Sequence, residues 1–191
     1  MKVRVLVHTH ERLRHDLPLL LWVPTQLGVT AFVLHRLVAQ PWSAWETLGL
    51  VVSLGVMNGS GGITVAHELM HRRERWPQAL AELLMTSVSY PHFCVEHVHG
   101  HHRHVATPRD PATSRLGENV FAFLLRCLPG SLRSAWRLEA ERVRRAGLRR
   151  ASLRDRRLRQ PLLLLAVYAG VLGSLGPRGL LLFAAQGLVA I

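Results

Sequence analysis

Leu17 to Leu34 run eighteen residues without a charged side chain, and Thr47 to Ala66 form a second charge-free run. A helix needs about 20 mainly apolar residues to cross a bilayer, so both runs predict membrane spans, near 17–38 and 47–66. Backbone groups inside lipid must be satisfied within the protein, which leaves helices or closed barrels as the spanning structures. The fold class that follows is all-α, an integral membrane helical bundle. A third apolar stretch, 161–191, is broken by Gly173-Ser174 and Gly176-Pro177-Arg178-Gly179. It reads either as one kinked span or as the two arms of a hairpin.

Charge orients the first two spans. Lys2, Arg4, Arg12 and Arg14 precede the first, Arg72, Arg73 and Arg75 follow the second, and the connector 39–46 has no basic residue. The positive-inside rule puts both flanks in the cytoplasm. The net charge of +12 is concentrated in 131–160, where 11 Arg stand against Glu139, Glu141 and Asp155. That block reads as a basic cytoplasmic segment against anionic lipid, and no nucleic-acid motif accompanies it. Cys94 and Cys127 read as reduced thiols. Pro77 to Val95 is a weakly apolar helix with Pro in its first turn, broken near Pro91. Residues 103–130 read as irregular and interface-hugging, with turn signals at Thr107-Pro108 and Asp110-Pro111.

The second span stops at a cluster of metal-binding residue types. His67-Glu68-Leu69-Met70-His71 opens at its end, and Glu96-His97-Val98-His99-Gly100-His101-His102 follows about thirty residues later. Residues four apart share a helix face, so His67 can pair with His71 and His97 with His101, while His102 is rotated by roughly 100°. Five imidazoles exceed what one tetrahedral ion takes, which points to a larger, dinuclear site on the cytoplasmic side. The first box also fits the His-Glu-x-x-His pattern of zinc proteases, with Glu68 as general base. That alternative leaves most of the second box unexplained. His8, His10, His15 and His35 read as ordinary histidines, and His92, His99 and His104 stand near the boxes without an assigned role.

The stretch from Gly61 to Trp76 resembles the first histidine box of membrane-bound alkane monooxygenases, and His92 to Pro108 resembles their second box more closely. The run Asp110 to Glu118 and the Arg-rich block with Trp136 and Glu139 continue the likeness, which is specific over about 58–145. The resemblance implies a non-haem di-iron enzyme that uses O2 to hydroxylate terminal carbons of alkanes or similar alkyl chains. It implies rubredoxin as electron donor, substrate drawn from the lipid phase, and a place in the bacterial inner membrane. Carried over by position, the metal ligands are His67, His71, His97, His101 and His102, with two irons expected in the complete protein. Glu68 and Glu96 are expected to hold ligand imidazoles by their second nitrogens. Fatty-acid desaturases share the histidine-box plan and supply a second reading.

Met70, Arg72 and Arg109 depart from residues common in the family without removing a ligand. The family's third histidine box and a His-Tyr-Gly motif do not occur in these residues, and the chain stops at Ile191 within an apolar run. The expectation is a sequence cut short, a partial oxygenase domain over 1–191. Five ligands are few for two irons, so this chain by itself is expected neither to hold a full di-iron centre nor to hydroxylate octane.

Overall fold

The computed structural model describes residues 2–147 and 152–191, with side chains from Asp16 onward. His8, His10, His15, Arg149 and Arg150 fall outside the described side chains. Helices and connecting turns account for the described residues, with no strand among them. The elements are α1 (Lys2–Ala39), α2 (Ala44–Met57), a π turn (Asn58–Ile63), α3 (Thr64–Met70), α4 (Arg75–Ser87), α5 (Phe93–Glu96), a second π turn (His97–His101), α6 (His102–His104), α7 (Val120–Arg145) and α8 (Arg156–Ala190). Three helical segments are long and apolar enough to cross a membrane: Asp16–Ala39, Ala44–Met70 and Arg156–Ala190. The chain is a membrane protein by this measure and by its family, described below.

The second span starts at Ala44, before the apolar run itself. Ser43 is the N-cap, its hydroxyl accepting from the Glu46 N–H, while the Glu46 carboxylate accepts from the Ser43 N–H at 2.9 Å. This reciprocal capping box satisfies two end donors, so a charged residue fits within the first turn. The span then runs through the π turn to Met70. Along it α1 lies antiparallel: Asp16 pairs with Arg72 at 2.9 Å, Thr30 with Asn58 at 3.2–3.3 Å, and Leu34 packs on Leu54.

Helix α4 turns back into the bundle. Its 13 residues cover about 20 Å, so it starts beside the histidines and ends level with Gln26 and Asn58, midway along the first two candidate spans. There Ser87 meets Gln26 at 3.4 Å. A helix that ends at such depth frees carbonyls that water cannot reach. One glutamine of α8 supplies a missing donor, and a second ties down the chain beyond the helix end. Gln186 Nε2 donates to the Ser87 carbonyl at 2.8 Å, and Gln160 Nε2 donates to that of Pro91 at 3.0 Å. Asn58 completes the network by donating to Gln186 Oε1 at 2.8 Å. Gln26, Thr30, Asn58, Ser87 and Gln186 are all buried. From this tip, Tyr90 and Pro91 lead into α5, which climbs back to the histidines.

The C-terminal apolar stretch is a hairpin. Gly176 has φ 67°, a left-handed conformation that glycine adopts without strain, and it separates arms 156–175 and 177–190. The Tyr168 ring meets Phe183 edge-on at 5.4 Å across the fold. The returning arm lies so close to α2 that a Cβ at Gly55 would stand 2.5 Å from Val189 Cβ. Small residues permit such contact between helices in lipid.

Residues 120–130, expected to be irregular, are helical. Asn119 caps α7 by accepting from the Ala122 N–H at 2.9 Å, and the helix continues through Pro129. The basic block folds on itself: Arg142 pairs with Glu139 at 2.5 Å, Arg157 with Asp155 at 2.7 Å, and Glu139 also accepts the Arg156 N–H at 2.7 Å.

Gln186→Leu leaves the Ser87 carbonyl and Asn58 without their partner, at an expected cost of about 1–3 kcal/mol. Thermal unfolding in detergent is expected to shift to lower temperature. An unchanged midpoint would show that the α4 tip is satisfied in another way.

Candidate metal centre

The end of α3 and the second π turn bring the two boxes together. His67 and His71 sit one helical turn apart with ring centroids 4.8 Å apart. His97 meets His67 at 4.5 Å and His71 at 5.4 Å, and His102 meets His71 at 4.7 Å. One ligand nitrogen from each of His67, His71, His97 and His102 falls within 4.8 Å of the others. Two nitrogens bound to one ion at about 2.1 Å lie no more than about 4.2 Å apart. Small ring movements therefore suffice for all four to share an ion, and the donor set fits a transition metal.

The pairing inside the second box differs from the helical expectation. Regular α spacing aligns His97 with His101. The π turn adds a residue to the loop, so the residue facing His97 is five positions on, and His102 Nε2 lies 2.9 Å from His97 Nε2. His101 stacks on His97 at 5.3 Å and is not in the four-nitrogen group. Its Nδ1 contacts Asp110 Oδ2 at 2.8 Å.

Electrostatics favour neutral, metal-ready rings. Burial drives His97 down to about 3, and the neighbouring His67, His102, His101 and His71 push the same way. His71 is lowered by burial and by His67 and His102. Neutral imidazole offers the lone pair that a metal needs. Near neutral pH His97 therefore gives up no proton on binding, whereas an exposed histidine would compete for one as the medium acidifies.

The two glutamates have different fates. Glu68 is half-exposed and pairs with Arg72 at 3.0 Å, the same guanidinium that holds Asp16. It contacts no ligand ring, and the general base of the zinc-protease reading is thus engaged elsewhere. Glu96 is buried and neither oxygen has a hydrogen-bond partner of good geometry, although Ser134 and the His101 backbone are its neighbours. Burial lifts it to about 7, so it is substantially protonated at neutrality. The carboxylate that does reach a box histidine is Asp110, which the sequence marked as a turn signal and as the start of a family-like run, without a role at the metal site.

His92, His99 and His104 are outside the four-nitrogen group. His92 has a buried Nε2 without a partner, and burial pushes it down to about 4. His99 lines a cavity of about 50 Å³ with Arg156 and one of about 630 Å³ with Arg142. His35, on α1, lines an apolar cavity of about 360 Å³ with Leu34 and Phe183.

His102→Ala is expected to lower metal affinity at least tenfold, and His99→Ala to leave it unchanged. Titration of the purified chain with Co2+, followed by visible absorption, measures both. Equal losses in the two variants would contradict the four-ring assignment.

A family model described as fatty acid desaturase matches residues 42–191. Alkane 1-monooxygenase 1 of Alcanivorax borkumensis is 44% identical over 148 residues, covering 77% of this chain and 36% of the relative. Alkane 1-monooxygenase 1 of Pseudomonas aeruginosa is 38% identical over 170 residues, covering 88% and 44%. The xylene/toluene monooxygenase hydroxylase component XylM of Pseudomonas putida is 34% identical over 131 residues, covering 69% and 35%. The chain thus spans less than half the length of these relatives. Helical architecture, clustered histidine boxes and a family match over most of its length agree: the chain belongs to the fatty acid desaturase family.

Proposed function

We propose that this chain carries the histidine-box portion of a non-haem di-iron monooxygenase that hydroxylates terminal carbons of alkanes or similar alkyl chains. The observation that carries the reading is the convergence of four imidazoles, two from each box, at the end of an apolar helix. Relatives named as alkane monooxygenases support the substrate class.

An unactivated C–H bond gives acid–base groups no handle, whereas iron held by imidazoles supplies a redox centre able to activate O2, which redox-inert zinc cannot. His67, His71, His97 and His102 would hold one iron, with His101 beside them. A second iron would draw on donors in addition to these five. The protein's part is ligation, orientation and a dry approach. Phe93 stacks on His97 at 4.8 Å and Tyr90 stacks on Phe93 at 5.4 Å, forming an aromatic wall beneath the rings. An apolar substrate would reach the site from lipid without crossing water.

In this reading the rings lie on the cytoplasmic side of the bacterial inner membrane, as the basic flanks suggest. Electrons would come from an acidic carrier of the rubredoxin type. Arg133, Arg137 and Arg144 are exposed on one face of α7 and join no ion pair among the described residues. Such a stripe would steer an acidic partner. The family match also favours a second reading, an acyl-chain desaturase, which would yield an alkene in place of an alcohol.

Grafting residues 58–145 into the corresponding segment of the Alcanivorax borkumensis relative tests the proposal. With rubredoxin, its reductase, octane and 18O2, the graft is expected to form labelled 1-octanol, and His71→Ala to abolish it. Octene would favour the desaturase reading, and an iron-loaded graft without oxygenated product would contradict the hydroxylase. In the same assay, charge reversal at Arg133, Arg137 and Arg144 is expected to raise the apparent KM for rubredoxin several-fold. Unchanged kinetics would reject the docking stripe.

A further inference from the structure

We propose that Asp110 is a positioning residue that fixes the ring of His101 as the fifth metal-binding imidazole, and that Arg126 locks the loop presenting it. The inference rests on the metal reading above and concerns residues to which that reading gives no role.

Asp110 lies in the irregular stretch between α6 and α7, yet its side chain is fully buried. A buried carboxylate must have its lone pairs satisfied. Asp110 Oδ2 accepts from Thr113 Oγ1 at 2.5 Å and contacts His101 Nδ1 at 2.8 Å, while Oδ1 accepts from the Ala112 N–H at 2.9 Å. An ionised carboxylate only accepts, so the proton between it and His101 belongs to Nδ1. The other nitrogen, Nε2, then carries the lone pair. The ring borders the four-nitrogen group without joining it, its centroid 5.3 Å from that of His97 and 5.9 Å from that of His102. A carboxylate holding the far nitrogen of a metal-bound histidine is a general device for fixing tautomer and ring direction.

The loop is built to keep Asp110 there. Arg126 of α7 donates to the carbonyls of Pro111 at 2.9 Å and Thr113 at 3.0 Å, and makes a two-pronged pair with Glu118 at 2.6 and 2.8 Å. Glu118 in turn accepts the Arg115 N–H at 3.0 Å. Thr113 Oγ1 also accepts the Ala106 N–H at 2.9 Å, closing the loop onto its own start. Pro111 seats against Gly130, where a Cβ would come within 2.8 Å of the ring. One guanidinium therefore fixes the chain just beyond Asp110 at two carbonyls and a carboxylate, a geometry that a lysine ammonium cannot reproduce.

The test is Co2+ titration of the purified chain, with affinity and the visible spectrum as readouts, in wild type, Asp110→Ala, Asp110→Asn, Arg126→Lys, His101→Ala and the His101→Ala/Asp110→Ala double variant. Asp110→Ala is expected to weaken Co2+ binding about 10- to 100-fold, the range found when such outer partners are removed. Asp110→Asn keeps an acceptor for the Ala112 N–H and so guards against unfolding, but it turns an NH2 toward His101 Nδ1 and favours the tautomer with the proton on Nε2, so a loss as large as that of Asp110→Ala is expected. Arg126→Lys should act in the same direction as Asp110→Ala. In the His101→Ala background Asp110→Ala is expected to add nothing, because its effect passes through that ring. A full further loss there would show a merely structural role and overturn the proposal, as would wild-type affinity in Asp110→Ala. Wild type that takes up no Co2+ would instead remove the metal reading itself, and this proposal with it.

Discussion

Every backbone polar group in an apolar interior must find a partner, and in this chain that requirement bears hardest on the tip of α4. A helix ending at mid-depth exposes carbonyls where no water competes. The side-chain amide of Gln186 answers it at the Ser87 carbonyl, and that of Gln160 holds the Pro91 carbonyl just beyond. Because both come from α8, the C-terminal hairpin becomes a brace for the re-entrant segment. The Asn58 and Thr30 pair ties the same network to α1 and the π-turned second span. With the tip anchored, α5 has a fixed starting point, and its short climb ends with His97 against His67. The placement of the histidine rings at one end of the bundle thus depends on amide hydrogen bonds well beneath it.

The two π turns serve distinct ends. That at Asn58–Ile63 lies in the middle of a span, where its Asn joins the buried network. That at His97–His101 shifts the phase of a histidine cluster by one residue. Single π turns are often found at functional sites because they redirect side chains without ending a helix. Here the shift aligns His97 with His102 and frees His101 to take Asp110. Two adjacent histidines, which a regular helix would splay, thereby both border the same group of rings.

Much of this was legible in the sequence, for physical reasons. Charge-free runs of span length announced the helices, and histidines four apart announced a shared face at 67 and 71. Glycines at 173–179 left the C-terminal stretch open between a kink and a hairpin, and the positive φ of Gly176 decides for the hairpin. Other features rest on contacts distant in sequence. The Gln186–Ser87 bond joins residues 99 apart, and no periodicity reports it. The π turn was hidden because α spacing was the natural reading of 97 and 101. Residues 120–130 looked irregular because the turn signals at Thr107-Pro108 and Asp110-Pro111 were extended over them, whereas the Asn119 side chain caps a helix that starts at Val120. Glu68 and Glu96 drew attention by adjacency to the boxes, whereas the carboxylate that touches a ring, Asp110, is nine residues beyond His101.

Ligand nitrogens of four imidazoles, two from each box, lie within 4.8 Å of one another, and on that convergence the proposed metal site stands. X-ray absorption at the metal edge of the Fe- or Co-loaded chain tests it most directly. Nitrogen scatterers at about 2.1 Å are expected, with the outer-shell pattern of at least four imidazoles. A first shell of oxygens with two imidazoles or fewer would contradict it, since one box alone could then account for the binding.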